Sequence, residues 1–193
     1  MKKLFLTLLI FSLSCDISTS KPVDNINPVY SVDNQNFENM SKAYFASGCF
    51  WCVETIYESL DGVEEVYSGY AGGTTINPNY YQVMSGKTGH AEAIEIIYDS
   101  NKVSFDTLLK VFFDSHNPTT PNRQGPDYGT QYRSIAFYNN QEEKDKINNY
   151  VSLLSTSSIF GKEIITEVKK IDKFYYAEEY HQDYEKKNPY NPY

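Results

Sequence analysis

The sequence predicts an α/β sandwich, a mixed sheet flanked by helices. Three observations carry that expectation. Stretches with a hydrophobic period of two alternate with stretches of period 3.6 along the chain. The connections between them range from tight glycine turns to one long loop, which suits a sheet with mixed strand directions. The 193 residues, 40% hydrophobic and 22% charged, are enough for one domain with a core of its own.

The elements follow in order. Ala43-Tyr44-Phe45-Ala46 is a short apolar, β-prone run closed by Ser47-Gly48. Val53, Ile56, Tyr57 and Leu60 then recur at helical spacing, so a helix is expected from about Cys49 to Leu60, broken by Asp61-Gly62. Val63 to Tyr70 reads as a second strand before Gly72-Gly73. Asn77-Pro78-Asn79 marks a turn, and Tyr80 to Met84 a short helical piece. His90 to Tyr98 is a strand with Glu92, Ile94, Ile96 and Tyr98 on one face. Ser104 caps a helix that carries Phe105, Leu108, Leu109 and Phe112 on one face and ends near His116. The long loop follows, through Pro121, Gly125, Asp127 and Gly129. Gln131 to Tyr138 is expected as a strand. Asn140 with Glu143 forms a capping pair for a helix carrying Ile147, Val151 and Leu154. Glu163 to Val168 is expected as a further strand, and Lys173 to about Glu185 as a last, tyrosine-rich helix.

The first residues read as an address. Lys2 and Lys3 precede the apolar run Leu4 to Leu13, and Cys15 closes it. That is the layout of a secretory signal of the bacterial lipoprotein type, too short to span a bilayer as a stable helix. The chain is therefore expected to be exported to the bacterial cell envelope and held to a membrane only by a lipid on Cys15. Residues 16–41, rich in Ser, Asn, Asp and Pro, are expected as a flexible linker, and 42–193 as the domain. The net charge of -8 and the lack of a basic stripe argue against a nucleic-acid partner.

The chemistry centres on Gly48-Cys49-Phe50-Trp51-Cys52. A cysteine after a strand and a glycine turn, at the first turn of a helix, meets unpaired backbone N–H groups and the positive end of the helix dipole. That setting favours a thiolate at Cys49. Glu92, on a face shared with isoleucines, is expected to hold a proton at neutral pH and to donate it. Three readings of the cysteine pair stand side by side. A structural zinc site needs two further ligands at defined spacing, and His90, His116 and His181 do not provide it. A thioredoxin-like disulfide oxidoreductase fits the position of the pair but normally has small residues or proline between the cysteines. A cysteine enzyme with an aromatic pocket fits the bulky Phe50-Trp51 filling. Ser85-Gly86-Lys87-Thr88-Gly89 is not a phosphate-binding loop, because the first glycine of that motif is missing.

A specific resemblance adds to this. Gly48-Cys49-Phe50-Trp51 with Glu54, Gly69-Tyr70-Ala71-Gly72-Gly73, Asn77-Pro78-Asn79-Tyr80 and Thr88-Gly89-His90-Ala91-Glu92 are similar to peptide methionine sulfoxide reductase of the A type. So are Arg123-Gln124-Gly125 with Asp127, Gly129 to Ser134, and Phe174 to Glu178. The resemblance spans roughly Lys42 to Tyr190. It agrees with a two-layer sandwich on a mixed, ferredoxin-like sheet. It implies that Cys49 attacks a methionine S-sulfoxide, free or in a protein, while Glu92 protonates the oxygen. Tyr80 and Tyr132 would hydrogen-bond that oxygen, Asp127 would support the site, and Phe50 and Trp51 would hold the methyl group. Cys49 becomes a sulfenic acid. With no cysteine in the C-terminal tail, Cys52 is expected to resolve it, and a thioredoxin-like protein to reduce the Cys49–Cys52 disulfide. That bond carries a geometric cost: side chains three apart on a helix lie about 5–6 Å apart at Cβ, and a disulfide wants about 3.5–4.5 Å. No metal or cofactor is implied, and a monomer is expected.

Overall fold

The computed structural model describes residues 37–191. The expected signal segment, Cys15 and nearly all of the expected linker lie outside the described residues. Eight strands and five α-helices succeed one another among them. Six strands form one mixed sheet in the order β7-β6-β1-β3-β2-β8. At its centre β1 (Ser41–Ser47) lies antiparallel to β3 (Ala91–Tyr98), and β3 to β2 (Val63–Ala71). On one side β6 (Ser134–Tyr138) pairs antiparallel with β1 and parallel with β7 (Glu167–Lys170). On the other, β8 (Phe174–Tyr176) edges β2. A two-residue-per-strand hairpin, β4 (Arg123–Gln124) and β5 (Asp127–Tyr128), stands apart.

The helices line one face of the sheet, which makes the molecule two-layered. From that face come Ala43, Phe45, Val66, Ile94, Ile96 and Ala136. They share one core with Val53 and Tyr57 of α1 (Phe50–Glu58), Leu108 and Phe112 of α3 (Phe105–Ser115) and Ile147 of α4 (Gln141–Ser157). Each large apolar side chain buried here contributes roughly 1.5–3 kcal/mol. The opposite face is built from smaller residues, Ala46, Ala71, Ala91 and Ala93, with Ile135 and Phe137, and is covered by Ile171 and Phe174. The period-two reading of β3 holds: Ile94, Ile96 and Tyr98 face the helical core. Ser104 and Asn140 cap α3 and α4, accepting the N–H of Thr107 and Glu143.

Three expectations are corrected. Gln131 and Tyr132 are not in a strand; they form a 3-10 turn, Thr130–Tyr132, before β6 begins. The strand placed at Glu163 to Val168 starts later, because the N–H of Ile165 is taken by the carbonyl of Pro118, outside the sheet. The tyrosine-rich helix is instead β8, a 3-10 turn (Glu179–His181) and the short α5 (Tyr184–Lys187). Here pairing across the sheet overrides the local pattern. Gly69 of β2 sits opposite Tyr176, and a Cβ at Gly69 would stand 2.3 Å from the Phe174 ring. Only a glycine lets the edge strand come this close.

Candidate active site

Gly48 and Cys49 turn the chain from β1 into α1. Gly48 has φ +105°, a conformation closed to side-chain-bearing residues, and the β4–β5 hairpin packs where its Cβ would be. Cys49 is the N-cap residue, buried, and its carbonyl accepts the N–H of Val53. The next N–H, that of Phe50, donates to the Glu92 carboxylate at 3.1 Å. The nucleophile candidate and the acid candidate therefore meet at one helix end.

Glu92 is 2% exposed, and burial pushes its pKa up to about 8. The comparison with Glu95, three residues on, explains the need for a proton. Glu95 faces the other side and accepts bonds from Lys42, Tyr44 and Tyr176. Glu92 has the Phe50 N–H to counter its burial, with Asp127 and Cys52 adding repulsion.

The cysteine pair departs from expectation. The Cys49 thiol is pushed up rather than down, by its hydrogen bond to Cys52 first, then by burial and the Glu92 charge. The half-buried Cys52 is pushed down because it receives that bond. The two opposite shifts belong to one shared proton. Contact with Cys52 and burial both work against an anion on Cys49. The helix end alone does not make Cys49 a thiolate.

The other expected residues surround this pair. Tyr80 opens α2 (Tyr80–Met84), where Asn79 and Gln82 form a reciprocal cap, and its backbone N–H donates to Glu178 at 3.0 Å. Burial, and then the Glu92 charge, push the Tyr80 hydroxyl up to about 12. Tyr132 is raised by the same two causes in the same order, and both phenols also feel Asp127 and Cys49. Cys49, Cys52, Glu92, Tyr80, Asp127 and Tyr132 thus form one electrostatic cluster. Both tyrosines keep their protons and remain donors.

The two aromatics between the cysteines have different situations. Phe50 is 1% exposed and lies against Tyr70, at 5.9 Å between ring centroids, and His181, at 5.0 Å. Trp51 is partly exposed. Its indole stacks on Tyr184 at 3.6 Å, and its N–H donates to His181 Nδ1 at 3.1 Å. Burial lowers the His181 pKa to about 4, so the ring is neutral and its proton sits on Nε2. Glu178 ties the same region together by accepting the Tyr70 hydroxyl as well as the Tyr80 N–H. The sequence weighed His181 only as a zinc ligand and did not single out Tyr184. No local spacing links them to Trp51, 130 residues from His181.

Comparisons with known proteins identify the fold as follows. The family model described as peptide methionine sulfoxide reductase matches residues 41–193. The peptide methionine sulfoxide reductase MsrA of Trichodesmium erythraeum is 53% identical over 146 residues, 76% of this chain and 82% of that protein. Mxr1 of Saccharomyces cerevisiae in reduced form superposes with a TM-score of 0.75 at 33% identity, over 84% of this chain and 92% of that one. The yeast protein in complex with Trx2 matches the fold with a TM-score of 0.55 at 22% identity, over 80% of this chain and 91% of that one. The candidate nucleophile and the buried Glu92 carboxyl, at one helix end beside aromatic rings, sit on a fold shared with these proteins over nearly the whole described domain. The chain belongs to the peptide methionine sulfoxide reductase family.

Proposed function

We propose that Cys49 reduces methionine S-sulfoxide, free or peptide-bound, with Glu92 as the proton donor. The observation that carries this reading is the buried Glu92 carboxyl, bonded to the first N–H of the helix that Cys49 caps. A sulfoxide oxygen does not leave sulfur as O²⁻; it needs a proton, and Glu92 is protonated at neutral pH. The Tyr80 and Tyr132 hydroxyls donate to the same oxygen. Phe50 and Trp51 enclose the methyl group.

Cys49, giving up its proton, attacks the sulfoxide sulfur while Glu92 protonates the oxygen. The S–O bond then breaks, the hydroxyl passes to the Cys49 sulfur as the new S–S bond breaks, methionine leaves, Cys49 is a sulfenic acid, and Glu92 takes up the released proton. Cys52 then attacks that sulfur, water departs, and the Cys49–Cys52 disulfide forms. Because Cys52 lies within the first turn of α1, that turn loosens when the bond closes. A thioredoxin-like dithiol protein, the kind of partner seen in the yeast complex, returns both cysteines to thiols. The disulfide-exchange reading is less favoured, since the family model and the relatives that match this chain are peptide methionine sulfoxide reductases.

The test is turnover of the two methionine sulfoxide epimers with dithiothreitol. Consumption of the S epimer alone is expected; no turnover together with active disulfide exchange would replace this reading by the other. Cys52→Ser is expected to complete one turnover per enzyme and then to fail with thioredoxin. Residues 1–15 are read as a lipoprotein signal and Cys15 as the lipid anchor of an envelope protein. A mass spectrum of the mature N-terminus tests that, and an unacylated Cys15 would overturn it.

A further inference from the structure

Met84 ends α2 beside the active site, 40% exposed. Its thioether receives two donors, the Gln131 amide at 3.2 Å and the Tyr132 hydroxyl at 3.8 Å. A thioether is a weak acceptor. Gln131 is 2% exposed, so its amide has left water for that weak partner. Tyr132 is the phenol assigned above to the substrate oxygen. Two donors converge on a sulfur that would hold them far better if it carried an oxygen.

We propose that Met84 is an oxidation site on the rim of the active site, whose sulfoxide is held by Gln131 and Tyr132 and slows turnover until it is removed. The inference rests on the reading of Tyr132 given above. The oxidant is a peroxide: its O–O bond breaks, one oxygen bonds to the Met84 sulfur, which loses two electrons, and water leaves. The new oxygen closes the gap to the Tyr132 hydroxyl and draws it from the substrate. The α2 backbone is tied by its Asn79–Gln82 cap and by Glu178, so Met84 does not fold back onto its own Cys49. A second copy of the chain removes the S epimer by the ordinary reaction.

The experiment has two arms. In the first, Cys49→Ser, which cannot repair itself, is treated with hydrogen peroxide and its peptides are weighed. Met84 is expected to gain one oxygen, and added wild-type enzyme with dithiothreitol to remove it from the folded variant in part, as one epimer. In the second, wild type and Met84→Leu are peroxide-treated, their thiols are restored, and each is assayed on free methionine S-sulfoxide against its own untreated rate. Wild type is expected to start about tenfold slower in kcat, the loss of one hydrogen bond to the reacting oxygen, with KM little changed. It should recover faster at higher enzyme concentration. Met84→Leu is expected to keep its rate. An unoxidised Met84 in the first arm, or equal loss in both proteins in the second, overturns the proposal. Failure of untreated wild type to turn over the S epimer would instead overturn the catalytic reading, and the first arm would still read the oxidation of Met84.

Discussion

Glu92→Gln separates the chemical role of this carboxyl from its cost to the fold. Burial raises the folded-state pKa from 4.5 to about 8. A group raised in this way supports folding fully below its unfolded pKa and loses that support as pH rises toward the folded one. At pH 7 about two and a half units separate the solution from the unfolded pKa, so the group costs about 3 kcal/mol at roughly 1.36 kcal/mol per unit. Glutamine keeps the shape and carries no charge to bury. The stability of Glu92→Gln relative to wild type should therefore rise by about 2–3 kcal/mol between pH 5 and pH 7. Urea unfolding of both proteins at both pH values measures it. Glu54, buried and also raised to about 8, is common to both proteins and cancels. Activity should move the other way, falling roughly 10²–10⁴-fold with the loss of the proton donor. In wild type, kcat should fall above about pH 8 as Glu92 ionises. Activity within tenfold of wild type, or a stability gap that does not change with pH, would refute this account of Glu92.

Other perturbations probe the scaffold around the site. Tyr184→Ala removes the ring stacked on Trp51 at 3.6 Å and should raise KM several-fold with a smaller effect on kcat, since a ring beside Trp51 is lost but neither reacting group is. Gly48→Ala forces a side chain into φ +105° and places its Cβ 2.8 Å from Gln124; a loss of about 1–3 kcal/mol is expected in thermal unfolding. Phe112→Ala empties a fully buried position that stacks on Phe45 at 4.9 Å, and should cost about 3–5 kcal/mol by chemical denaturation while leaving the pH profile of activity in place.

Much of the site was legible because its signals are local. A glycine turn after an apolar strand placed Cys49 at a helix start, and period two placed Glu92 on the helical side of β3. The caps at Ser104 and Asn140 marked two helix starts correctly for the same reason. The state of the cysteine pair was not legible. The helix end argues for a thiolate at Cys49, but the contact with Cys52 and burial push the other way. The C-terminal stretch misled in another way. Its tyrosines suggested one helix, yet Phe174 to Tyr176 complete the sheet and His181 and Tyr184 brace Trp51.

The residue order by itself determined the alternating α/β plan, the family motifs, the candidate nucleophile and the candidate proton donor. Each of these is written in the spacing of near neighbours, where helix and strand geometry are fixed by backbone sterics. Only the tertiary structure decided which way the cysteine pair's thiols are shifted, which rings hold Trp51, and that the Gln131 amide and the Tyr132 hydroxyl meet the Met84 sulfur. Those depend on groups far apart along the chain meeting in a place sheltered from water, where burial and a few hydrogen bonds, rather than sequence neighbours, set charge and orientation.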